Sequence, residues 1–166
     1  MILQLRTKDA QRFIHIGFMI VILLVFASCE ETENQDLETE NYFLFEKTYG
    51  GVSYDQGYDV IELASGDIAI AGFSASGDSG RADFHVAQLD PWGEMNWGSF
   101  HGGFDFDQCY SICEDSQENL YLGGLSVSFG AGDTDFYLVK LSANGEEIWT
   151  QNYGTEKFES GYDMIL

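Results

Sequence analysis

Hydrophobic and polar residues alternate in short runs along most of the chain, and the pattern returns after 52 residues. The runs IAIAGFS and LYLGGLS, DFHVAQL and DFYLVKL, and EMNWGSF and EEIWTQN are pairs related by this offset. Such runs, separated by Gly, Asp, Asn and Ser, predict β-strands joined by turns. The runs GYDVIEL and CYSICED form another pair, so each repeat contains four predicted strands.

A repeat of about 50 residues with four strands is the makeup of a β-propeller blade, a small antiparallel sheet that packs against the next one. The sequence therefore predicts an all-β fold of antiparallel four-stranded blades, with two full units and two partial ones. No helix is predicted after residue 45. The positions that recur without an insertion are Phe45, Trp97 and Trp149, Gly93 and Gly145, Asp83 and Asp135, and Tyr58, Tyr110 and Tyr162.

The chain begins with a segment that lacks the repeat. Arg6, Lys8 and Arg12 form a basic start, and an apolar run from Phe13 to Ala27 follows. This order is typical of a secretory signal. A membrane-spanning helix needs about 20 apolar residues, and this run is shorter. We therefore assign residues 1–28 to a signal peptide.

The tetrapeptide from Phe26 to Cys29 resembles the lipobox of bacterial lipoproteins, which are cut before a cysteine that carries a diacylglyceryl group. The resemblance implies lipidation of Cys29, labelling with palmitate, and anchoring to the outer membrane of the cell envelope. Phe26 departs from the motif, where leucine is commonest. An ordinary secretory signal or an uncleaved anchor is the alternative.

Residues 29–41 join Cys29 to the repeats and carry six acidic residues and no basic one. Such a segment is too charged to fold alone and is predicted to be a solvated tether. An acidic run directly after the lipidated cysteine also resembles the export signal of surface-exposed lipoproteins in some Gram-negative bacteria. Surface display and an inward-facing location both remain open.

The repeat domain covers residues 42–166, with units at about 45–97 and 97–149 and a partial unit at 150–166. It opens with a last-strand equivalent and closes with a first-strand equivalent. This arrangement predicts the N-terminal part of a longer propeller, or a chain that self-associates through its open blade edges.

Two units share the pattern D-F-x-x-x-x-L-x-x-x-G-E-x-x-W. It resembles β-propeller-like repeats of bacterial secreted proteins and lipoproteins, and its end is similar to the tryptophan-docking motif of quinoprotein propellers. The resemblance implies that the ring packs between neighbouring blades and that the glycine permits a tight turn. We therefore expect Trp97 and Trp149 in equivalent buried positions. One propeller scaffold hosts many activities, so the resemblance gives no function.

The formal charge of −21 limits the classes of partner. Binding to phosphate groups requires clustered Lys and Arg, so nucleic acid is not an expected partner. The acid excess indicates a soluble surface outside the cytoplasm, and a calcium-binding surface is the alternative.

Few residues suggest chemistry. Cys109 and Cys113 align with Gly and Ile positions of the repeat, which indicates small core residues rather than ligands. His85 and His101 align with tyrosines and are assigned to aromatic packing. Clustered metal ligands, a nucleophile motif and a phosphate loop are absent from the sequence. We therefore expect no catalytic residue, no metal and no cofactor.

Aspartates flank the loop before the third strand of each unit, at Asp78 and Asp83 and at Asp133 and Asp135. Neither loop matches an EF-hand. The recurrence of Asp83 and Asp135 at the head of a strand favours a structural turn bond over a calcium ligand.

These features predict a non-catalytic cell-envelope or surface lipoprotein that acts as a binding or scaffold module for a protein or glycan ligand. The alternative is a fragment of a quinoprotein-like propeller enzyme or of a propeller assembly factor. A cluster of convergent polar groups over a central channel would favour the enzyme.

Overall fold

The structure is a computed structural model that describes residues 2–4, 45–77 and 81–166. The predicted lipid-attachment residue Cys29, the tether and Asp78 lie outside the described residues. The strands are β1 (Ile2–Gln4), β2 (Glu46–Thr48), β3 (Asp55–Glu62), β4 (Ile68–Ser74), β5 (Asp83–Leu89), β6 (Met95–His101), β7 (Asp107–Glu114), β8 (Leu120–Ser126), β9 (Asp135–Leu141) and β10 (Glu147–Tyr153).

The described part of the chain is all β-structure and contains no helix, hence none that could cross a membrane. The first sheet has the order β3-β4-β5-β6, and the second sheet has the order β7-β8-β9-β10. Every neighbouring pair is antiparallel. The predicted fold of four-stranded antiparallel blades is therefore confirmed.

A separate two-stranded sheet pairs β1 with β2, with Leu3 opposite Lys47. Strand β1 lies within the segment that the sequence assigns to the signal peptide. A chain processed before Cys29 would lack this pairing.

Tight turns join the strands in the same way in both sheets. Gly93 has φ +79° and Gly145 has φ +78°, in the left-handed region that glycine adopts without steric cost. In each turn the glycine N–H donates to the carbonyl three residues earlier, at 2.9 Å. The glycines therefore allow β5 and β9 to reverse directly into the outer strands.

A β-bulge places one tyrosine of each first strand outside the regular pairing. Tyr58 falls between two paired residues of β3, and Tyr110 does so in β7. A Cβ on the opposite residues, Gly72 and Gly124, would meet the backbone carbonyls of Gln56 and Gln108 at less than a van der Waals distance. Glycine at these two positions therefore permits the bulge.

The core lies between the two sheets. The first sheet contributes the fully buried Phe84 and Val86, and the second sheet contributes Leu122 and Val139 to the same cluster. Burying an aliphatic or aromatic side chain of this size stabilises the fold by about 1.5–3 kcal/mol. By contrast, every residue of β10, the outer strand of the second sheet, is exposed.

Residues 154–166 contain no strand, although the sequence predicts a first-strand equivalent there. The segment nevertheless packs on the second sheet, where Tyr162 contacts Tyr110 with ring centroids 4.9 Å apart and Phe158 forms a bridge with Thr134. A strand needs a paired neighbour along its length, and among the described residues this segment pairs only through the bridge of Phe158 with Thr134.

Candidate functional site

An open groove of about 510 Å³ lies where the first strands of the two sheets begin. We call it the aromatic groove. It is lined by aromatic and amide side chains from both sheets, among them Tyr54, Gln56, Tyr58, Phe73, Phe106 and Gln108.

Contacts between the rings hold the walls of the aromatic groove. The Phe73 ring lies 5.5 Å from the Tyr54 ring and 5.5 Å from the Phe106 ring, so it links the two sheets. Tyr54 is 67% exposed and Tyr58 is 42% exposed. Two tyrosine rings therefore present accessible surface on a support of packed aromatic side chains.

The edge of the aromatic groove is polar. The Gln108 Nε2 donates to the Tyr58 hydroxyl at 2.7 Å, and the Tyr54 hydroxyl donates to Gln56 Oε1 at 3.1 Å. Arg81 also lines the groove and pairs with Asp105 at 3.2 Å. Apolar rings with a few oriented amide and hydroxyl groups suit a neutral ligand that has one apolar face.

The β-bulges place Tyr58 and Tyr110 in one column, and Tyr162 of the segment after β10 extends it. The Tyr58 and Tyr110 rings meet edge to face at 5.1 Å, and Tyr110 lies 4.9 Å from Tyr162. Burial raises the pKa of the Tyr58 and Tyr110 hydroxyls, so both are neutral hydrogen-bonding groups at physiological pH. The column continues the aromatic groove along the first strands.

An acidic residue closes the loop before each first strand. Asp55 accepts from Gly51 N–H at 2.8 Å, and Asp107 accepts from Gly103 N–H at 2.8 Å. Burial opposes ionisation of Asp55, but bonds from Ser74, Gly51 and Ser76 lower its pKa. These loops are thus held by charge-assisted hydrogen bonds.

An aromatic ring lies on the glycine turn of each four-stranded sheet: Phe45, directly before β2, lies on the turn at Gly93, and Trp97 of β6 lies on the turn at Gly145. A Cβ on Gly93 would lie 2.6 Å from the Phe45 ring, and one on Gly145 would lie 2.7 Å from the Trp97 ring. We call these two turns the docking turns. Trp97 also donates from Nε1 to Gln88 Oε1 at 2.5 Å.

Trp149 occupies the equivalent register position, since it pairs with Lys140 as Trp97 pairs with Gln88. It is 39% exposed, whereas Trp97 packs against the core as a partly buried residue. The expectation that both rings are buried is therefore wrong for Trp149. The reason is that no docking turn in the described structure covers it.

The described histidines and cysteines do not line the aromatic groove. His85 stacks on Phe100 at 4.7 Å, as aromatic packing predicts. His101 is buried and its Nδ1 contacts Glu147 at 3.1 Å, so its partner is a carboxylate of the second sheet rather than an aromatic ring. Cys109 is fully buried, and this burial raises its pKa to about 12.

The strand-head aspartates Asp83 and Asp135 are both buried, as the first residues of β5 and β9. In the described part of the chain, no group of three or more His, Cys, Asp or Glu residues could hold a metal ion.

Most residues of the aromatic groove were not predicted from the sequence. Gln56 and Gln108 recur at the 52-residue offset, as do Ser74 and Ser126, and this recurrence was a usable signal. Phe73 carried no such signal, because its equivalent is Leu125.

No protein-family model matches the chain. The chain is 23% identical over 154 residues to the regulatory protein FlaEY of Caulobacter vibrioides, and the match covers 78% of this chain. The chain spans 16% of the length of that protein, so the similarity does not transfer the activity of the whole protein.

Proposed function

We propose that the chain is a non-catalytic binding or scaffold module of the cell envelope, and that its partner binds in the aromatic groove. The observation that carries this proposal is the pair of exposed tyrosine rings, Tyr54 and Tyr58, on an open groove with a polar edge. Exposed aromatic residues next to hydrogen-bonding groups are characteristic of recognition surfaces.

The chemistry of the groove favours a glycan or a polar protein segment. Ring faces bind the apolar face of a sugar or of a side chain, while Gln56 and Gln108 offer amide groups at the edge. The charge of −21 disfavours nucleic acid and anionic lipid headgroups as ligands.

Lipidation of Cys29 is the second part of the proposal. The lipobox-like sequence and the acidic tether support attachment to the outer membrane, with the blades presented to the surrounding space. Each buried methylene of an acyl chain contributes about 0.8 kcal/mol, and two chains make the attachment stable.

The role of the groove is tested by capturing binding partners from envelope extracts and by measuring binding to an array of purified glycans. We expect a partner that binds the wild-type chain and is lost with Tyr54→Ser. Tyr153→Ser is the matched control, because Tyr153 is 55% exposed but lies on β10, away from the groove. Equal capture by all three proteins would refute a role for the groove.

A further inference from the structure

Two acidic side chains face each other across a glycine next to the second sheet. Asp135 is the first residue of β9, and Glu159 lies in the segment that follows β10. A Cβ on Gly154 would lie 2.8 Å from Glu159 Oε2 and even closer to Asp135 Oδ1. Glycine at this position thus leaves one small space that both carboxylates border.

Asp135 has one carboxylate oxygen without a partner. The residue is 1% exposed. Its Oδ2 accepts from Gly132 N–H at 3.3 Å, whereas its Oδ1 accepts no hydrogen bond from the described residues. A buried carboxylate is costly unless a proton or a cation compensates its charge. The unpaired oxygen is the one aimed at Gly154 and Glu159.

Glu159 borders the same space and is held by two hydrogen bonds. It accepts from Thr155 N–H at 2.9 Å and from Thr155 Oγ1 at 2.7 Å. Two neighbouring carboxylates repel each other when both are charged, and a cation between them removes this repulsion.

We propose that Asp135 and Glu159 bind a Ca²⁺ ion. Calcium accepts carboxylate, carbonyl and water oxygens in a flexible arrangement, whereas Mg²⁺ demands near-ideal octahedral geometry. With only two carboxylates, the expected dissociation constant lies in the range of extracellular modules, about 10⁻⁴–10⁻³ M. The ion would fasten residues 154–166 to the second sheet.

The same placement occurs one repeat earlier. There Asp83 and Asp107 border Gly102, and a Cβ on Gly102 would lie 2.6 Å from Asp107 Oδ2. Asp107 accepts bonds from Gly103 N–H at 2.8 Å and from Ser128 Oγ at 2.7 Å. A pair of acids beside a glycine is therefore a repeated part of the contact between successive units.

The site is tested on the purified full chain by equilibrium dialysis with Ca²⁺ and by thermal unfolding with and without about 5 mM Ca²⁺, a concentration above the expected dissociation constant. We expect wild-type binding of Ca²⁺ and a raised unfolding midpoint that Mg²⁺ does not reproduce. Asp135→Asn should weaken binding at least about tenfold. Asp133→Asn is the control, because Asp133 is exposed in the same loop and the charge change is the same.

If Asp135→Asn does not fold, Glu159→Gln replaces it, since Glu159 is only partly buried. Equal loss of binding in Asp135→Asn and Asp133→Asn would show diffuse attraction to the acidic surface and would overturn the proposal. The proposal would also be overturned if the wild-type chain binds no Ca²⁺ in equilibrium dialysis, whatever the stability of Asp135→Asn.

Discussion

Glu118 adopts a backbone conformation that residues with a side chain rarely occupy. Its φ is +65°, and Gly66, the equivalent residue one repeat earlier, has φ +87°. The left-handed region costs a non-glycine residue about 1–2 kcal/mol. Glu118 is exposed, so this local cost has no compensation from burial of its side chain.

We therefore expect Glu118→Gly to stabilise the fold by about 0.5–1 kcal/mol, because glycine removes the strain but gains unfolded-state entropy. Denaturant unfolding measures this difference. Gly66→Ala is the reciprocal variant and should cost about 1 kcal/mol. No atom lies within 4 Å of a Cβ on Gly66, so its effect would come from φ alone. A destabilised Glu118→Gly would contradict the explanation.

The two outer strands, β6 and β10, differ in what covers them. Trp97 of β6 lies on a docking turn and donates a hydrogen bond to Gln88, while β10 is exposed along its whole length. Residues at equivalent sequence positions therefore contribute differently to the stability of the fold.

Trp97→Ala should cost about 3 kcal/mol, because it leaves a cavity against the docking turn and removes the partner of Gln88. Trp149→Ala should cost less than about half of that, since its ring already contacts solvent. Chemical denaturation of the two variants checks this order. Equal costs would mean that the docking turn adds nothing to the packing of Trp97.

The strands could be predicted because alternation and turn residues are local signals that the repeat shows twice. Tyr58 and Gly72 also recur at the 52-residue offset, but this recurrence did not predict the β-bulge. The aromatic groove could not be predicted, because Phe73 and Phe106 meet only through packing between sheets. The exposure of Trp149 depends on what covers β10, which its own sequence does not specify.

The proposed attachment of the whole molecule to the outer membrane depends on one residue, Cys29. Cys29→Ser should abolish labelling with palmitate and the membrane association that follows from it. Metabolic labelling and cell fractionation measure both. Cys113→Ser is the matched control, because Cys113 is a free cysteine of β7 and should not change the labelling. Undiminished labelling of Cys29→Ser would refute lipidation at this residue.

The docking turns also bear on how copies of the chain could polymerise. Trp149 of one copy would suit a docking turn of another, in a head-to-tail contact that repeats without closing. Yet Phe45 fills the turn at Gly93, where Tyr49 donates to the Gly93 carbonyl at 2.8 Å and Lys47 pairs with Glu94. Trp97 fills the other turn. A filament that grows through the docking turns would first have to displace a segment of its own subunit, so these turns oppose head-to-tail growth.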